Sequence, residues 1–445
     1  RYAPLALIAT LTACQVPATT ATAPAQYVVL ANPDQSPADL EAAIQAAGGT
    51  VTESLDGLGG MVVQATDPDF LTRIQATPGV DTAPLTPPRP MLGRTITAAA
   101  TGDDSLDANL PPKPGPEGEP YSGYQWGLDL GHVREAWKTG FKGRGTVVAV
   151  LDTGVDAANR DLAPNLDLAH ARSFVPDEAD LVDRNGHGSH VAGIIAAAQN
   201  GYGVTGVAPD ATILPIKVLD ATGQGNDYGI IRGIDYAVSQ GAAVINLSIE
   251  GLWEQDATGK RLRAAYAAAI RHAETRGAIV IIAAGNFGQQ IPINGHYVLP
   301  AESGAGVVVG AVGPFDGQNP GSFAFYSNYG KGYLNLAAPG GGMGVDPATF
   351  TPVVHKTDLV LSTWSTQALP HEDQGFQFGA APHMFLGGTS MACAYVSGVA
   401  ALARSSYGPI PPARLRQILL AATAPGADPT YYGAGIIDAQ KAVQR

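Results

Sequence analysis

Three side chains of this 445-residue sequence could together turn a hydroxyl group into a nucleophile: Asp152, His187 and Ser390. A serine hydroxyl attacks a carbonyl slowly near neutral pH unless a neutral imidazole accepts its proton. The imidazole in turn needs a buried carboxylate that fixes its tautomer and stabilises its cationic form. Glycine or alanine lies close to each of the three in the chain, which leaves room for a substrate backbone. The set predicts a serine peptidase.

Each of these residues alone has a simpler interpretation. Asp152 ends an apolar run and could be a turn or helix-capping residue, and Ser390 could be an ordinary N-cap. His187 could be a histidine packed among glycines at a helix start, the role that we predict for His190. The prediction of catalysis therefore depends on the three residues together, in their local sequence contexts.

Four motifs in a fixed order carry a resemblance to a known family. They are VAVLDTGVD at Asp152, HGSH at His187, AAGN at Asn286 and GTSMA at Ser390. From about Tyr121 to the end, the chain resembles the subtilisin-like (subtilase, S8 family) serine peptidases, whose catalytic residues follow the order Asp, His, Ser. The resemblance implies that Asp152 orients, that His187 is the general acid and base, and that Ser390 attacks. It also implies an oxyanion hole made of the Asn286 amide and the backbone N–H of Ser390.

Apolar runs alternate with helical patterns along this region. The alternation predicts an α/β fold, a doubly wound parallel sheet covered on both faces, with a small α+β domain ahead of it. The predicted strands are Thr146–Leu151, Thr212–Val218, Ala243–Leu247, Ala278–Ala283 and Val307–Val312, and the predicted helices are Gly188–Ala198, Tyr228–Gln240, Arg261–Arg276 and Ser390–Ser405. Asn286 would lie at the carboxyl end of its strand, where open α/β sheets hold their sites.

The same resemblance implies two walls of a pocket for the substrate's P1 side chain. One wall is a strand-edge segment that pairs with the substrate backbone, and the other follows the strand before Asn286. The predicted substrate-binding residues are Ser248, Ile249 and Glu250 on the first wall and Ala283, Ala284 and Gly285 on the second. Glu250 departs from the family, which has glycine there, so either the edge is narrowed or a carboxylate faces the substrate. Val298 is predicted at the pocket floor, beside a cis Leu299–Pro300 bond.

A structural calcium ion is also implied. Asp161 stands in the family's position nine residues after Asp152, and residues 198–204 resemble the calcium loop, which supplies hard oxygen ligands. The predicted ligands are Asp161, Ala198, Asn200, Tyr202, Val204 and Ser122, with Ser122 the least typical. The alternative is a solvated helix cap followed by a glycine-rich turn.

The first residues resemble an export signal. A short apolar run, residues 3–13, is too short to span a bilayer and ends at small residues before Cys14. The segment Leu11-Thr12-Ala13-Cys14 resembles a bacterial lipoprotein box, which would leave Cys14 lipidated and anchor the protein to a membrane. An ordinary signal peptide with an incidental cysteine is the alternative. Either way, we predict an exported bacterial protein at the cell surface or outside the cell.

Two further pieces precede residue 121. Residues 26–85 show a β-α-β-β-α-β order that resembles the inhibitory propeptide of subtilases, so the chain's own propeptide is a predicted partner. Residues 86–120 are rich in proline and poor in large apolar side chains, a composition typical of a linker. We therefore predict that maturation cuts the chain in this linker.

Composition narrows the remaining functions. The net charge is −13, and phosphate binding needs clustered Lys and Arg, so no nucleic-acid partner is predicted. Polypeptides are the substrates that the family resemblance implies. The only cysteines are Cys14 and Cys393, which makes a structural disulfide improbable. Two insertions, residues 340–356 and 366–382, have no role that the sequence reveals.

Two other functions stay open from the sequence. Ala394 replaces the proline that usually follows the nucleophile motif, which leaves room for a transpeptidase or ligase that uses the same acyl-enzyme. A non-catalytic surface-binding protein with a subtilase shell is the other alternative. That alternative is weakened because no member of the catalytic set is missing.

Overall fold

A computed structural model describes residues 25–31, 35–55, 59–84, 89–92, 111–315, 317–345, 352–369, 382–424 and 428–445. The predicted leader with Cys14, much of the predicted linker and most of the insertion 366–382 lie outside the described residues. No helix in the described ranges combines the length and apolarity needed to cross a bilayer.

A small unit, residues 25–84, has the predicted β-α-β-β-α-β order. Its elements are β1 (Ala25–Ala31), α1 (Pro37–Ala46), β2 (Thr50–Leu55), β3 (Gly60–Ala65), α2 (Phe70–Gln75) and β4 (Val80–Pro84). The strands form one antiparallel sheet in the order β2-β3-β1-β4. Ile44 and Phe70 from the two helices pack against Val29 and Val63 of the sheet, so the unit has a core of its own.

A short strand, β5 (Arg89–Pro90), stands between this unit and the rest of the chain. The large unit, residues 111–445, then contributes β6 (Val147–Asp152), β7 (Arg172–Ser173), β8 (Thr212–Lys217), β9 (Gln224–Gly225), β10 (Val244–Leu247), β11 (Gly251–Glu254), β12 (Ile279–Ala283), β13 (His296–Leu299), β14 (Val307–Val312), β15 (Leu336–Pro339), β16 (Gly344–Val345), β17 (Pro352–Val353), β18 (Val360–Thr363) and β19 (His383–Leu386).

The helices of the large unit cover both faces of its sheet. They are α3 (Trp126–Leu130), α4 (Val133–Trp137), α5 (His187–Ala196), α6 (Asp227–Ser239), α7 (Ala257–Thr275), α8 (Thr389–Tyr407), α9 (Pro412–Ala421), α10 (Pro429–Tyr432) and α11 (Ala439–Val443). The strands run parallel in the order β15-β14-β12-β10-β6-β8-β7. This is the predicted doubly wound α/β fold.

Strand β6 shows why the sheet must be covered on both sides. Its side chains alternate between two cores: Val148 and Val150 pack with α5 and α8, while Ala149 and Leu151 pack with α6 and α7. A strand buried on both faces needs an almost continuous apolar sequence, and Asp152 is its one charged residue. The Asp152 side chain therefore lies at the edge of the sheet formed by the carboxyl-terminal ends of its strands.

The predicted linker does not extend to residue 120 as an open chain. Glu119 is buried and its carboxylate accepts the backbone N–H groups of Gly201 and Tyr202 at 2.9 and 3.0 Å. Glu117 pairs with Arg134 at 3.0 Å, and both side chains are 8% exposed. Residues 111–120 thus pack on the large unit, because two carboxylates find donors there that the local composition does not reveal.

Candidate active site

The carboxyl ends of three neighbouring strands bring the predicted catalytic residues together. Strands β6, β10 and β12 lie side by side, and they lead into Asp152, Ser248 and Asn286. Helices α5 and α8 begin at the same edge and carry His187 and Ser390 in their first turns. The sheet therefore gathers side chains from positions far apart in the chain.

The Asp152–His187 pair is fully enclosed. Asp152 Oδ1 lies 2.8 Å from His187 Nδ1, and both residues are buried. This contact fixes the tautomer with its proton on Nδ1, so that Nε2 can accept a proton. Burial lowers the pKa of His187, but the charge and hydrogen bond of Asp152 and the charge of Asp183 outweigh it, so the pKa is raised.

Asp183 is a positioning residue that the sequence analysis missed. Its buried carboxylate accepts the backbone N–H groups of Asn185, Gly186 and Ser189 at 2.7 to 3.1 Å and the hydroxyl of Thr153 at 2.8 Å. These bonds cap the start of α5 and tie it to the end of β6. They thereby hold the imidazole against its carboxylate.

Ser390 stands in the first turn of the buried helix α8. Its Oγ donates to the carbonyl oxygen of Ser248 at 3.3 Å, and Ser248 Oγ donates to the Ser390 carbonyl at 2.9 Å. The hydroxyl must therefore turn from this acceptor to the imidazole before proton transfer. Because Ser390 is in the first turn, its backbone N–H has no intrahelical partner and is available to an oxyanion.

The Asn286 side chain is held with its amide nitrogen free for an acceptor. Its Oδ1 accepts both the backbone N–H and the hydroxyl of Thr389 at 2.8 Å. With the oxygen engaged twice, Nδ2 is the group left to donate. Asn286 is thus tied to the residue that precedes the nucleophile, the arrangement that an oxyanion hole requires.

The predicted P1 walls lie beside this constellation. Glu250 reaches from the first wall to the second, where its Oε2 accepts the Asn286 backbone N–H at 2.6 Å. A Cβ atom on Gly285 would lie 2.3 Å from Glu250 Oε2 and 3.3 Å from Val298 Cγ1. Val298 is therefore at the base of the same space. The Leu299–Pro300 bond is cis, as predicted.

The segment Arg89–Leu92 occupies the edge of the cleft. Strand β5 pairs antiparallel with β9, and the Met91 N–H donates to the Gly223 carbonyl at 3.1 Å. The Glu250 N–H donates to the Met91 carbonyl at 2.8 Å. The Met91 side chain is fully buried in the core shared by α6 and α7. The segment Arg89–Leu92 therefore lies as an added strand between residues 223–225 and Glu250 of the large unit.

Residues 143–435 match the sequence profile of the Subtilase family, peptidase S8. The chain belongs to the subtilase family. An M-protease from Shouchella clausii (strain KSM-K16) is 33% identical over 319 residues, which are 72% of this chain and 70% of that protein. Subtilisin Savinase from Lederbergia lenta is 32% identical over 319 residues, 72% of this chain and 98% of that protein. This subtilase is accordingly a serine endopeptidase that acts on polypeptides.

The fold likeness extends over almost the whole chain. A crystal structure of the epidermin leader peptide processing serine protease from Staphylococcus aureus has a TM-score of 0.71 to this subtilase. The two are 20% identical, and the match covers 95% of this chain and 98% of that one. At this identity the likeness concerns the fold alone, and it supports the subtilisin-like α/β architecture.

Protein donors occupy one oxygen of the carboxylate that the sequence predicts to bind calcium in this subtilase. Asp161 Oδ2 lies 2.8 Å from His383 Nε2 and accepts the Val204 N–H at 3.0 Å, which leaves only Oδ1 without a hydrogen bond. Asn200 Oδ1 accepts the Tyr202 N–H at 3.0 Å. No group of three or more His, Cys, Asp or Glu side chains in the described ranges is arranged to hold a metal. A calcium ion, which takes six to eight oxygen ligands, would therefore depend mainly on backbone carbonyl oxygens here.

Of the remaining predicted ligands, Ser122 is used within the protein. The Ala198 N–H donates to the Asp161 carbonyl at 2.8 Å, a bond that does not involve the Ala198 carbonyl oxygen. The Ser122 hydroxyl is buried, donates to the Glu119 carbonyl at 3.0 Å and accepts the Gly115 N–H at 2.9 Å. The sequence prediction missed these contacts of His383 and Glu119, because His383 is 222 residues from Asp161 along the chain and Glu119 is 82 residues from Gly201.

Two further sequence predictions concern His190 and Cys393. His190 is fully buried, and its Nε2 lies 3.0 Å from the Met384 carbonyl. Burial lowers its pKa to about 3, so it is a neutral packing residue, as predicted. Cys393 is a free thiol in the core, and its Sγ donates to Asn246 Oδ1 at 3.2 Å.

We expect the acid limb of activity to report the raised pKa of His187. The general base must be neutral, so kcat/KM should be low below that pKa and rise with pH through a midpoint above the ordinary value of about 6.5. Asp183→Asn removes a charge that raises the pKa, so the midpoint should move to lower pH. Profiles of kcat/KM against pH test this, with the surface variant Asp210→Asn as control. An unshifted midpoint in Asp183→Asn would contradict the electrostatic role.

Proposed function

We propose that this subtilase hydrolyses peptide bonds through Asp152, His187 and Ser390, with Asn286 in the oxyanion hole. Ser390 Oγ attacks the scissile carbonyl carbon while its proton passes to His187 Nε2, and Asp152 stabilises the resulting imidazolium. The carbonyl oxygen becomes negative and accepts bonds from Asn286 Nδ2 and the Ser390 N–H. The carbon–nitrogen bond then breaks, and the leaving amine takes the proton from His187.

The second half of the reaction reverses these roles. Water loses a proton to His187 and attacks the ester carbonyl that Ser390 now carries. The same two donors stabilise the second oxyanion. Collapse releases the new carboxyl group, and the proton returns to Ser390 Oγ, which restores the enzyme.

One observation carries this proposal. A fully buried carboxylate and imidazole, joined at 2.8 Å, stand at the same sheet edge as a serine in the first turn of a helix and an asparagine whose oxygen is already engaged. A structural role does not require this combination. Replacement of Ser390 and replacement of Asn286 test it.

We further propose that residues 25–84 are an inhibitory propeptide. Glu53 in β2 accepts the Tyr228 hydroxyl at 2.8 Å and the Arg232 Nε–H at 2.9 Å, so the small unit docks on α6 by a charged contact. The stretch that follows it lies in the cleft through residues 89–92. Docking at α6 and blockage of the cleft together support an inhibited precursor.

Maturation should be autocatalytic. Purified wild-type protein should be cut between Thr86 and Tyr121, and Ser390→Ala protein should stay intact, because only the active precursor can cleave itself. N-terminal sequencing and intact mass follow the cut with time. Cutting of purified Ser390→Ala protein would show that another protease is responsible.

We also propose export through the leader and lipidation at Cys14. What supports it is the sequence Leu11-Thr12-Ala13-Cys14 after a short apolar run. The same intact-mass measurement on the uncut Ser390→Ala precursor decides between the alternatives. A lipid-sized mass increment that disappears in Cys14→Ser supports a membrane anchor, and its absence supports an ordinary signal peptide.

We expect the Asp161–His383 contact, rather than calcium, to anchor the loop 198–204. In a Ser390→Ala background, which prevents self-digestion, His383→Ala should lower the melting temperature by a few degrees, because it leaves the buried Asp161 carboxylate without that partner. The decrease should be equal in chelator and in calcium. His170→Ala, an exposed histidine paired with Asp167, is the matched control. A melting temperature that rises with calcium and loses this rise in Asp161→Ala would restore the calcium site.

A further inference from the structure

The carboxylate of Glu250 stands inside the predicted P1 pocket. Glu250 lies two residues after Ser248, which contacts Ser390. Its Oε2 accepts the Asn286 N–H on the opposite wall at 2.6 Å. Gly285 has a φ of +98° and no side chain, and any Cβ there would collide with Oε2. The carboxylate therefore spans the space that a substrate side chain would enter.

This carboxylate has no countercharge. Glu250 is 4% exposed, and its Oε1 has no hydrogen-bond partner. Burial raises the pKa of Glu250 and the Asn286 N–H lowers it, with a net result of about 8. No cation in the described part of the chain contributes to this shift. A carboxyl group with this pKa is mostly protonated near neutral pH, which avoids the cost of a buried unpaired charge, and it ionises when a cation binds beside it. Groups with strongly shifted pKa values concentrate at functional sites.

The groups beside Glu250 do not supply the missing donor. Asn328 Nδ2 donates to the Ala284 carbonyl at 3.0 Å, and the Tyr333 hydroxyl donates to the same oxygen. Val298 presents a methyl group. The pocket thus combines apolar walls with one unsatisfied acidic oxygen.

We propose that Glu250 selects substrates with a cationic P1 residue, lysine or arginine. The aliphatic part of such a side chain would pack on Ala284 and Val298, and its charged end would bond Oε1 of Glu250. A pocket built to bond a polar group rejects an analogue that lacks the group by large factors. The inference rests on the proposed function, since it concerns the substrate of the same site.

The sequence after the segment in the cleft contains a P1 residue of the kind that this proposal requires. The Glu250 N–H bonds the Met91 carbonyl, and Arg94 is the third residue after Met91 and the only Lys or Arg of residues 93–110. A preference for a P1 cation therefore assigns the maturation cut to the Arg94–Thr95 bond. Thr95 would be the first residue of the matured enzyme.

The test compares peptides that differ only at P1. Fluorogenic peptides with the sequence Met-Leu-Gly-X before the cut bond carry arginine, lysine, citrulline, leucine or alanine as X. Citrulline keeps the shape of arginine without its charge. We expect matured wild-type enzyme to have kcat/KM about 10²-fold or more higher for arginine than for citrulline, with lysine well above leucine and alanine.

Replacement of the carboxylate should erase this preference. Glu250→Gln should lower the ratio of arginine to citrulline to near one, and Glu250→Gly should raise activity on leucine. Glu302→Gln is the matched control, because Glu302 is a half-buried carboxylate that also accepts a backbone N–H nearby, at Val298. It should keep the wild-type preference. Circular dichroism confirms that each variant is folded.

The outcomes separate this inference from the proposed function. A wild-type ratio of arginine to citrulline near one, or a preference for leucine or alanine, overturns the role of Glu250 even if a Glu250 variant fails to mature. Persistence of the arginine preference in Glu250→Gln overturns it as well. Hydrolysis that survives Ser390→Ala would instead contradict the proposed mechanism.

Discussion

Replacing Ser390 with alanine is expected to lower kcat by about 10⁶-fold, and replacing His187 with alanine should have the same effect, the size of loss known for subtilisins. The two side chains act as one unit, because the hydroxyl is a nucleophile only while the imidazole accepts its proton. The double variant should therefore be no worse than either single one. Steady-state kinetics on a peptide substrate measure the two single variants and the double variant. Because these variants are not expected to mature themselves, the propeptide is added separately or a second protease makes the cut.

Ser405→Ala is the matched control for this experiment. Ser405 lies near the other end of the same helix α8, where its hydroxyl donates to the Leu402 carbonyl and accepts the Gly143 N–H. It should keep nearly full activity. Losses that add in the Ser390/His187 double variant would mean that the two residues contribute independently, which contradicts a shared proton transfer.

Replacing Asn286 with alanine is expected to lower kcat by about 10²–10³-fold and to leave KM nearly unchanged, as the loss of this donor does in subtilisin itself. The reason is that Nδ2 bonds the oxygen mainly when it carries negative charge. The measurement is kcat and KM determined separately on the same peptide. Loss of the amide removes a bond made only in the transition state.

Asn165→Ala controls for the general effect of removing a structural asparagine. The Asn165 amide donates to the carbonyls of Ala196 and Pro209 at 2.8 and 2.7 Å, away from the cleft. It should lower thermal stability and leave kcat near the wild-type value. A large rise in KM with unchanged kcat in Asn286→Ala would make the residue a substrate-binding group instead.

The sheet and the catalytic set could be predicted because their signals are local. Long apolar runs mark strands buried on both faces, and the observed β6, Val147–Asp152, differs by one residue at each end from the prediction. The four motifs lie directly at the ends of strands or at the starts of helices. Local sequence therefore placed each residue on an element, and the parallel sheet brought the elements together.

The supporting contacts could not be predicted in this way. Asp183 looks like an ordinary loop residue. Its bonds to Asn185, Gly186 and Ser189 are local, but the bond from the Thr153 hydroxyl, which ties it to β6, forms only after β6 and α5 have packed. His383 reaches Asp161 across 222 residues of chain. Contacts of this kind form only through tertiary packing. Neither the composition of the chain nor its hydrophobic periodicity predicts them.

The segment Arg89–Leu92 lies in the cleft of the chain to which it belongs, so the inhibition proposed for it would be intramolecular. A tethered segment competes with substrate at an effective concentration that reaches the millimolar range for short linkers. Diluting the precursor cannot release such an inhibitor, so the delay before activity appears should not depend on protein concentration when the first cut is made within one molecule. After the cut, the fragment competes only at its bulk concentration, and dilution then begins to favour the free enzyme.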